Sequence, residues 1–488
     1  MSTLVVVGRL SRPQPKQILL RLPAALGLAL LGAATGWLVM SQWTLVVIAV
    51  VAAAFIAVVA AAWLGFEAFV LLLLIASMLP LPTLTVGSVG FPLATAAIPL
   101  TLVAALVICR RRGLPLSVPY IWPYVALIVV GALSVAASYV FWDPRVGTST
   151  ERGYGHRWIG YQLTGLYLLA APLLAYAGGV LTAQVARIGR IHALVFTALA
   201  GLSLALLVMW LQHPISPLDA FAQKSRTKSD NQWAAYCVVC AIAVLFTLRR
   251  PLSRFAGSVM LMFGSAATLI AYVLSGWVGL ALAVTTLIWD RFRARGLMIW
   301  FGVVALIALP LQSIIVTIVT QRTLSHDTDR LGLWLSALIV WTKSPLIGVG
   351  SGNLASYMEA YNVFPLGIVL QGYQQPHNIF LEILAETGII GILLLGIFLV
   401  LVLRKLWRFR SEDAMHNLAA KTALGVMVTG ALIAAFGSGF LPTIASAGYN
   451  ALPTVFVVWF LIGCGVGVTL RSDATSQRAP ALPGGVNS

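Results

Sequence analysis

Ionisable and amide side chains cluster at the start of a long apolar segment that reaches about residue 402. Pro376 suits the first turn of a helix, where its missing N–H group would have no partner in any case, so the pattern predicts a membrane helix beginning there. Asn378, Glu382 and Glu386 are spaced four residues apart and fall on one face of that helix, beside His377. Charged groups at the edge of a membrane usually face protein or a wet cavity, which favours a site over the alternative that these residues only cap the helix.

His377 is the candidate general base of such a site, because histidine exchanges a proton near neutral pH. Glu382 or Asn378 would orient the imidazole ring or the acceptor substrate. Tyr373 and Gln375, just before the histidine, are candidates to bind the hydroxyl groups of a substrate, although the polarity of an external loop explains them equally well. Three further histidines compete for the same role in segments predicted to be external: His156, His213 and His326.

A second group of chemically suited residues lies between positions 320 and 376. The apolar run from Leu331 to Trp341 is too short to span a membrane, so it predicts a re-entrant, interfacial or buried helix. The motif Asp327-Thr328-Asp329 could cap that helix, which would hold Arg330 in its first turn at the membrane surface. Capping is favoured over metal binding, because metal-dependent sugar-nucleotide enzymes with this spacing need a soluble domain and no segment is long enough for one.

A glycine-rich turn follows this short helix. Pro345 and three closely spaced glycines, Gly348, Gly350 and Gly352, predict a tight turn. Such a turn can present N–H groups that cradle a phosphate. Two interpretations stay open, a phosphate-binding turn and a plain turn.

The elements that must position these residues are membrane helices. The chain has 488 residues, of which 60% are hydrophobic and only 9% charged, a composition typical of multi-pass membrane proteins. We predict an all-α polytopic integral membrane protein of about 14 (about 12 to 14) transmembrane helices, with a large external loop that contains short helices. The predicted spans start near residues 22, 43, 66, 91, 121, 160, 191, 232, 255, 276, 297, 378, 418 and 451.

The distribution of basic residues predicts the orientation. With a cytoplasmic N-terminus, 22 of the 31 Lys and Arg residues fall on cytoplasmic segments, and this explains the net charge of +17 without nucleic acid as a partner. The predicted organisation is a cytoplasmic segment 1–21, spans in 22–319, a periplasmic loop 320–376, three spans in 377–470, and a cytoplasmic tail 471–488. The tail is polar and is expected to be disordered.

Three motifs, in this order along the chain, resemble the O-antigen ligase and polymerase superfamily, which includes WaaL-type ligases and Wzy-type polymerases. The first is the Arg330-Leu-Gly-Leu-Trp334 segment, and the second is the glycine turn that starts at Pro345. The third is His377-Asn378-x-x-Leu381-Glu382-x-x-x-Glu386-x-Gly388-x-x-Gly391. The best match covers about residues 320–400.

A fainter similarity lies upstream. Arg226 in an external loop, followed by a helix start at Asn231, looks like the family's first arginine, although Lys224, Lys228 or Arg157 could take its place. Family members often carry Ser-Arg-Gly at the outer end of a middle span. This chain has Ser275-Gly276 there, so another basic residue must hold the phosphate, or the lipid lies differently.

The resemblance implies a glycosyltransferase of the bacterial inner membrane that acts at the periplasmic face, inverts the anomeric carbon and uses no metal ion or other cofactor. The donor would be a glycan on undecaprenyl diphosphate, and the acceptor a second lipid-linked repeat or lipid A-core. A diphosphate leaving group gains negative charge as its bond to the sugar breaks, and fixed arginines stabilise that charge. Arg330 and Arg226 are therefore the candidate diphosphate-binding residues, and Arg330 also a catalytic one.

The sequence favours a polymerase of exopolysaccharide or O-antigen repeat units slightly over a ligase. A polymerase is compatible with a separate chain-length regulator as a partner. A lipid-linked sugar transporter is the alternative of a different class, and it predicts charges in the middle of spans and inverted repeats, neither of which is evident. A structural membrane subunit would not need clustered arginine and histidine residues.

Overall fold

The computed structural model describes residues 65–78, 84–86, 89–141, 159–212, 231–270, 277–289, 298, 328–361, 376–436, 440–442 and 451–478. Helices account for most of these residues. Before position 300 the described helices are α1 (Phe66–Met78), α2 (Ala94–Arg111), α3 (Ile121–Val140), α4 (Ile159–Val185), α5 (Ile188–Gln212), α6 (Asn231–Thr247), α7 (Pro251–Ile270) and α8 (Trp277–Trp289). The later ones are α9 (Thr328–Trp341), α10 (Leu354–Tyr361), α11 (Ile379–Arg408), α12 (Ala414–Phe436) and α13 (Leu452–Arg478).

Seven of the described helices, α2 to α5 and α11 to α13, are long and apolar enough to cross a membrane. Shorter apolar helices are formed by α1, most of α6, α8 and the apolar part of α9. The chain is therefore a multi-pass helical membrane protein. The predicted total of about 14 spans is larger than this number of helices. The spans predicted near residues 22, 43 and 297 lie outside the described residues, Met298 excepted.

Most of the described basic residues, Arg330 and Lys343 excepted, gather at one end of the helix bundle. They lie near the junctions that follow α2, α4, α6 and α11 and in the last part of α13, at Arg110, Arg111, Arg112, Arg187, Arg190, Arg249, Arg250, Arg254, Arg404, Lys405, Arg408, Arg410, Lys421 and Arg471. Contacts tie these ends together, since Nη1 of Arg112 donates to the Val185 carbonyl (3.1 Å) and Arg190 pairs with Glu67 (3.3 Å). We call this end the basic face, and the opposite end, where α11 begins, the site face. Because basic residues favour the cytoplasmic side, we expect the basic face to be cytoplasmic.

The centre of the bundle is formed by α4 and α13, whose backbones touch. A Cβ atom at Gly179 would lie 2.2 Å from the carbonyl oxygen of Phe460, so only glycine permits this approach. The Trp459 ring of α13 packs against Tyr124 of α3 and Phe398 of α11, with ring centroids 6.1 Å and 5.9 Å away. This aromatic cluster joins α3 and α11 to the central pair, which gives the helix that carries the site a rigid support.

A smaller apolar cluster packs α9 and α10 against the first part of α11. Its buried members are Leu333, Ala337, Val340, Val349, Leu354, Tyr357, Met358 and Ala385. At its edge, Nζ of Lys343 lies 4.3 Å from the centroid of the Tyr361 ring, a cation–π contact. The described part of the predicted external loop is therefore folded onto α11 at the site face.

Two local features differ from the sequence analysis. Strand β1 (Leu84–Val86) pairs antiparallel with β2 (Val89–Phe91), and strands of three residues are too short to show an alternating pattern. The final helix α13 continues to Arg478, so residues 471–478 of the tail, expected to be disordered, are helical. A helix that is already formed adds residues at little cost, which explains the extension into polar sequence.

Candidate functional site

The helix that carries the predicted site begins at Ile379, not at Pro376. Asn378 has an extended backbone, with φ −146° and ψ 104°, and its Oδ1 accepts hydrogen bonds from the N–H groups of Phe380 (3.0 Å) and Leu381 (3.2 Å). An asparagine cap satisfies N–H groups that have no partner within the helix, and such caps contribute about 1 kcal/mol. The prediction of a helix start at Pro376 was wrong, because the cap residue sets the boundary.

His377 lies just outside the helix, with a left-handed backbone (φ 49°) and a half-buried side chain. Residues other than glycine seldom adopt this conformation, so neighbouring contacts must hold it. One such contact is at the preceding residue, where the Pro376 carbonyl accepts a hydrogen bond from Nε1 of Trp334 at 2.8 Å. Trp334, on α9, therefore fixes the backbone from which His377 projects.

The same hydrogen bond places Arg330. Trp334 follows Arg330 by four residues in α9, so the two Cα positions lie on one face of that helix, about one turn apart. The face of α9 that contacts Pro376 therefore also carries Arg330. The predicted site residues Arg226, Tyr373 and Gln375 lie outside the described residues.

α11 is interrupted at Gly388, which has φ 69° and ψ −172°. In an unbroken helix the N–H groups of Ile389 and Ile390 would bond to carbonyls four residues earlier. Here they donate to the carbonyls of Pro345 (2.9 Å) and Leu346 (3.2 Å), in the turn that follows α9. At the interruption, carbonyl groups of the turn after α9 therefore replace the acceptors that α11 itself would provide.

The carbonyls released by this break bond to the same turn. Those of Ala385 and Glu386 accept hydrogen bonds from the N–H groups of Val349 (2.9 Å) and Gly350 (3.0 Å). The hydroxyl of Ser134, on α3, donates to the Glu386 carbonyl at 2.9 Å. Two segments far apart in the chain therefore exchange backbone hydrogen bonds, and α3 supports the junction.

The carboxylate of Glu386 occupies the glycine-rich turn. It accepts hydrogen bonds from the N–H groups of Gly352 and Leu354 and from the Ser351 hydroxyl, with 3.5 Å between the Leu354 nitrogen and Oε1. Glu386 and Ser351 are both buried. The interpretation of this turn as a phosphate cradle was wrong, because its N–H groups bind carboxylate and carbonyl oxygens of the chain itself.

We call the hydrogen bonds between the Glu386 carboxylate and the glycine-rich turn the clamp, and we expect them to stabilise the fold. We expect Glu386→Gln to lower the free energy of unfolding by about 1–3 kcal/mol, because an amide offers one acceptor oxygen and turns an NH₂ donor toward the donors of the turn. Thermal unfolding of the detergent-solubilised protein measures this. Glu412→Gln, at an exposed position on the basic face, is the control and should leave the melting temperature nearly unchanged. Equal melting of Glu386→Gln and the unmodified protein would contradict the clamp.

Glu382 lies one turn before Glu386 and is fully buried. Its N–H group donates to the Asn378 carbonyl at 3.1 Å, the first hydrogen bond of the helix. The sequence analysis placed Asn378, Glu382 and Glu386 on one helical face. The two glutamates do share α11 and are buried, whereas Asn378 precedes the helix and its Oδ1 accepts hydrogen bonds from the N–H groups of Phe380 and Leu381.

Two buried polar residues of the site escaped the sequence analysis, Ser134 and Gln162. Nε2 of Gln162, on α4, donates to Oδ1 of Asn353 (3.1 Å), and Nδ2 of Asn353 donates to the Val349 carbonyl (2.9 Å). Gln162 and Asn353 are both buried. A polar residue inside an apolar span is the signal that could have identified them.

The arrangement suits proton transfer next to an anion. A histidine at the mouth of a membrane helix can take a proton, and an arginine on the adjoining helix can stabilise negative charge. Arg330 and Lys343 are the basic residues of the site face within the described ranges. The hydrogen bonds between the turn and the interrupted helix α11 hold α9, which carries Arg330, against α11, which begins next to His377.

Residues 258–396 match the family model described as O-antigen ligase. This range contains α9, the glycine-rich turn, His377 and the break at Gly388. The match confirms the resemblance drawn from the sequence motifs. A comparison with curated proteins finds no match to the chain.

Proposed function

We propose that the chain, whose residues 258–396 match the family model described as O-antigen ligase, is a member of the O-antigen ligase and polymerase superfamily and an inverting, metal-independent membrane glycosyltransferase. Its donor is a glycan on undecaprenyl diphosphate, and it polymerises exopolysaccharide or O-antigen repeat units at the periplasmic face of the bacterial inner membrane. An O-antigen ligase that transfers the glycan to lipid A-core is the second candidate, because the matching family model is described as O-antigen ligase.

The observation that best supports this proposal is the hydrogen bond between Trp334 and the Pro376 carbonyl (2.8 Å). It joins the helix that carries Arg330 to the residue before His377. A base and a cation on adjoining elements are what transfer from a diphosphate-linked donor requires.

The proposed reaction proceeds by direct displacement. His377 takes the proton from the acceptor hydroxyl, whose oxygen forms the new bond to the anomeric carbon from the side opposite the diphosphate. The bond between the sugar and the diphosphate oxygen breaks, and its electron pair stays with the diphosphate. Arg330 stabilises the charge that develops there, and Arg226 is a second candidate for the same anion.

The test uses purified protein in detergent with a lipid-diphosphate repeat unit as the sole substrate and EDTA present. A ladder of lengthening glycans on a gel supports a metal-independent polymerase. Transfer that appears only after lipid A-core is added supports a ligase. The absence of both products from folded protein with matched substrates contradicts the proposal and favours a lipid-linked sugar transporter.

Substitution of Arg330 tests the diphosphate contact. We expect Arg330→Ala to lower the transfer rate by about 10²- to 10³-fold, the usual effect of removing one group that stabilises transition-state charge. Arg330→Lys should restore little, because an ammonium group cannot form the two-point contact of a guanidinium. Lys343→Ala, which removes the other described cation of the site face, is the matched control, and an equal loss there would argue against a specific role for Arg330.

Substitution of Trp334 tests the positioning of the histidine. We expect Trp334→Phe to lower the transfer rate by about three- to tenfold, because the loss of one hydrogen bond of about 1 kcal/mol leaves the His377 backbone less well held. Trp341→Phe removes a similar bond, from Nε1 to the Pro345 carbonyl at 2.9 Å, without touching Pro376. The initial rates of the two variants should differ, and equal rates would rule out a particular role for Trp334.

A further inference from the structure

A cavity of about 770 Å³ opens at the basic face, at the other end of the bundle from His377. It lies between the connection from α6 to α7 and the connection from α11 to α12. The basic side chains that line it are Arg249, Arg250, Arg410 and Lys421, and the acidic ones are Glu412 and Asp413. The lining therefore carries an excess of positive charge.

The cavity is lined by two acidic residues and four basic ones, so the net charge of its lining is positive. Oδ1 of Asp413 accepts a hydrogen bond from the Met415 N–H group (2.7 Å), and its Oδ2 lies 3.7 Å from Nε2 of His416. This carboxylate is therefore engaged at the start of α12. Like charges that converge on one cavity repel each other, and a bound anion removes that repulsion.

The wall of the cavity on the membrane side is apolar. Ala243 and Phe246 of α6 and Leu287 of α8 line it, while Ser253 of α7 adds a hydroxyl at the basic end. Lys421, two turns inside α12, also lines the cavity and is half-buried, whereas Arg249 and Arg250 are exposed. A lining that is basic at the rim and apolar below matches a ligand with an anionic head and a hydrocarbon tail.

We propose that this cavity binds a phosphate group, and that the headgroup of an anionic phospholipid in the adjoining leaflet supplies it. The guanidinium groups of Arg249 and Arg250 can each offer two N–H donors to phosphate oxygens, and basic pockets between membrane helices are suited to such headgroups. The apolar wall at Phe246 receives the first part of an acyl chain. A free phosphate shares the headgroup chemistry but makes no use of this wall. The proposal does not depend on the glycosyl transfer reaction.

Native mass spectrometry of the full chain in detergent tests the proposal, with phosphatidylglycerol or cardiolipin titrated against phosphatidylcholine. The Arg249→Ala/Arg250→Ala double variant should bind the anionic lipids about thirtyfold more weakly, since each basic side chain near an anionic headgroup contributes roughly fivefold. The control is Arg110→Ala/Arg111→Ala, which removes two exposed arginines of the same face that do not line the cavity. Its lipid affinity should match that of the unmodified protein.

Inorganic phosphate is the second arm of the test. Displacement of the anionic lipid by millimolar phosphate, together with a rise in melting temperature with phosphate alone, would support the phosphate site and identify a soluble ligand as its source. Binding of lipid without that response supports the headgroup. Equal affinities of the two double variants, at equal melting temperatures, would overturn the proposal, as would equal binding of phosphatidylcholine and the anionic lipids.

Discussion

Replacing His377 by asparagine is expected to lower the rate of glycosyl transfer by about 10²- to 10⁴-fold, the contribution typical of a positioned general base. Asparagine is the informative replacement, because the backbone at this position is left-handed (φ 49°) and asparagine tolerates that conformation better than alanine does. The variant therefore removes the base without adding backbone strain. Initial rates of product formation from the lipid-diphosphate repeat measure the effect.

The control for this experiment is His416→Asn. His416 lies on the basic face, 3.7 Å from an oxygen of Asp413, and should not affect transfer. The melting temperature of each variant shows whether it is folded. Full activity of folded His377→Asn would exclude His377 as the base, and one of the external histidines would then have to be tested.

The helices of this chain can be predicted largely from sequence, because a membrane helix is defined by its own apolar composition. The spans expected near residues 121 and 451 correspond to helices that begin at Ile121 and Leu452. Errors occur where polar residues belong to a helix. The span expected near residue 418 begins at Ala414, because Asp413 caps its first turn through the Met415 N–H group (2.7 Å).

The site is less predictable, because its hydrogen bonds join segments that are distant in the sequence. A glycine-rich turn shows that N–H groups are available, but the sequence does not show which acceptor meets them. Here the acceptors are the carboxylate of Glu386 and the backbone carbonyls of Glu386 and Ala385. All three belong to α11, a helix that follows the turn in the sequence. The position of His377 just before this helix, by contrast, could be predicted from the apolar run that follows it.

Gly388→Ala is expected to have the largest structural effect of any single substitution at the site. The combination of φ 69° and ψ −172° is essentially restricted to glycine. A Cβ atom there would lie 2.2 Å from the Leu346 carbonyl oxygen. That oxygen cannot move aside, because it accepts the hydrogen bond from Ile390 that replaces a helical one. We expect a destabilisation of about 4 kcal/mol or more, with little folded protein and no transfer.

Gly396→Ala, on the same helix, is the matched control, because no heavy atom lies within 4 Å of a Cβ built there. A glycine in a helix interior costs about 0.5–1 kcal/mol relative to alanine, so this variant should melt slightly higher than the unmodified protein. Gly348→Ala should behave like Gly388→Ala, since its Cβ would lie 2.2 Å from the carbonyl carbon of Glu386. Gly388→Ala and Gly348→Ala are thus expected to lower the melting temperature, whereas the control Gly396→Ala raises it slightly. If Gly388→Ala melted like Gly396→Ala, the exchange of hydrogen bonds between the turn and α11 would not be what holds the arginine-bearing helix beside His377.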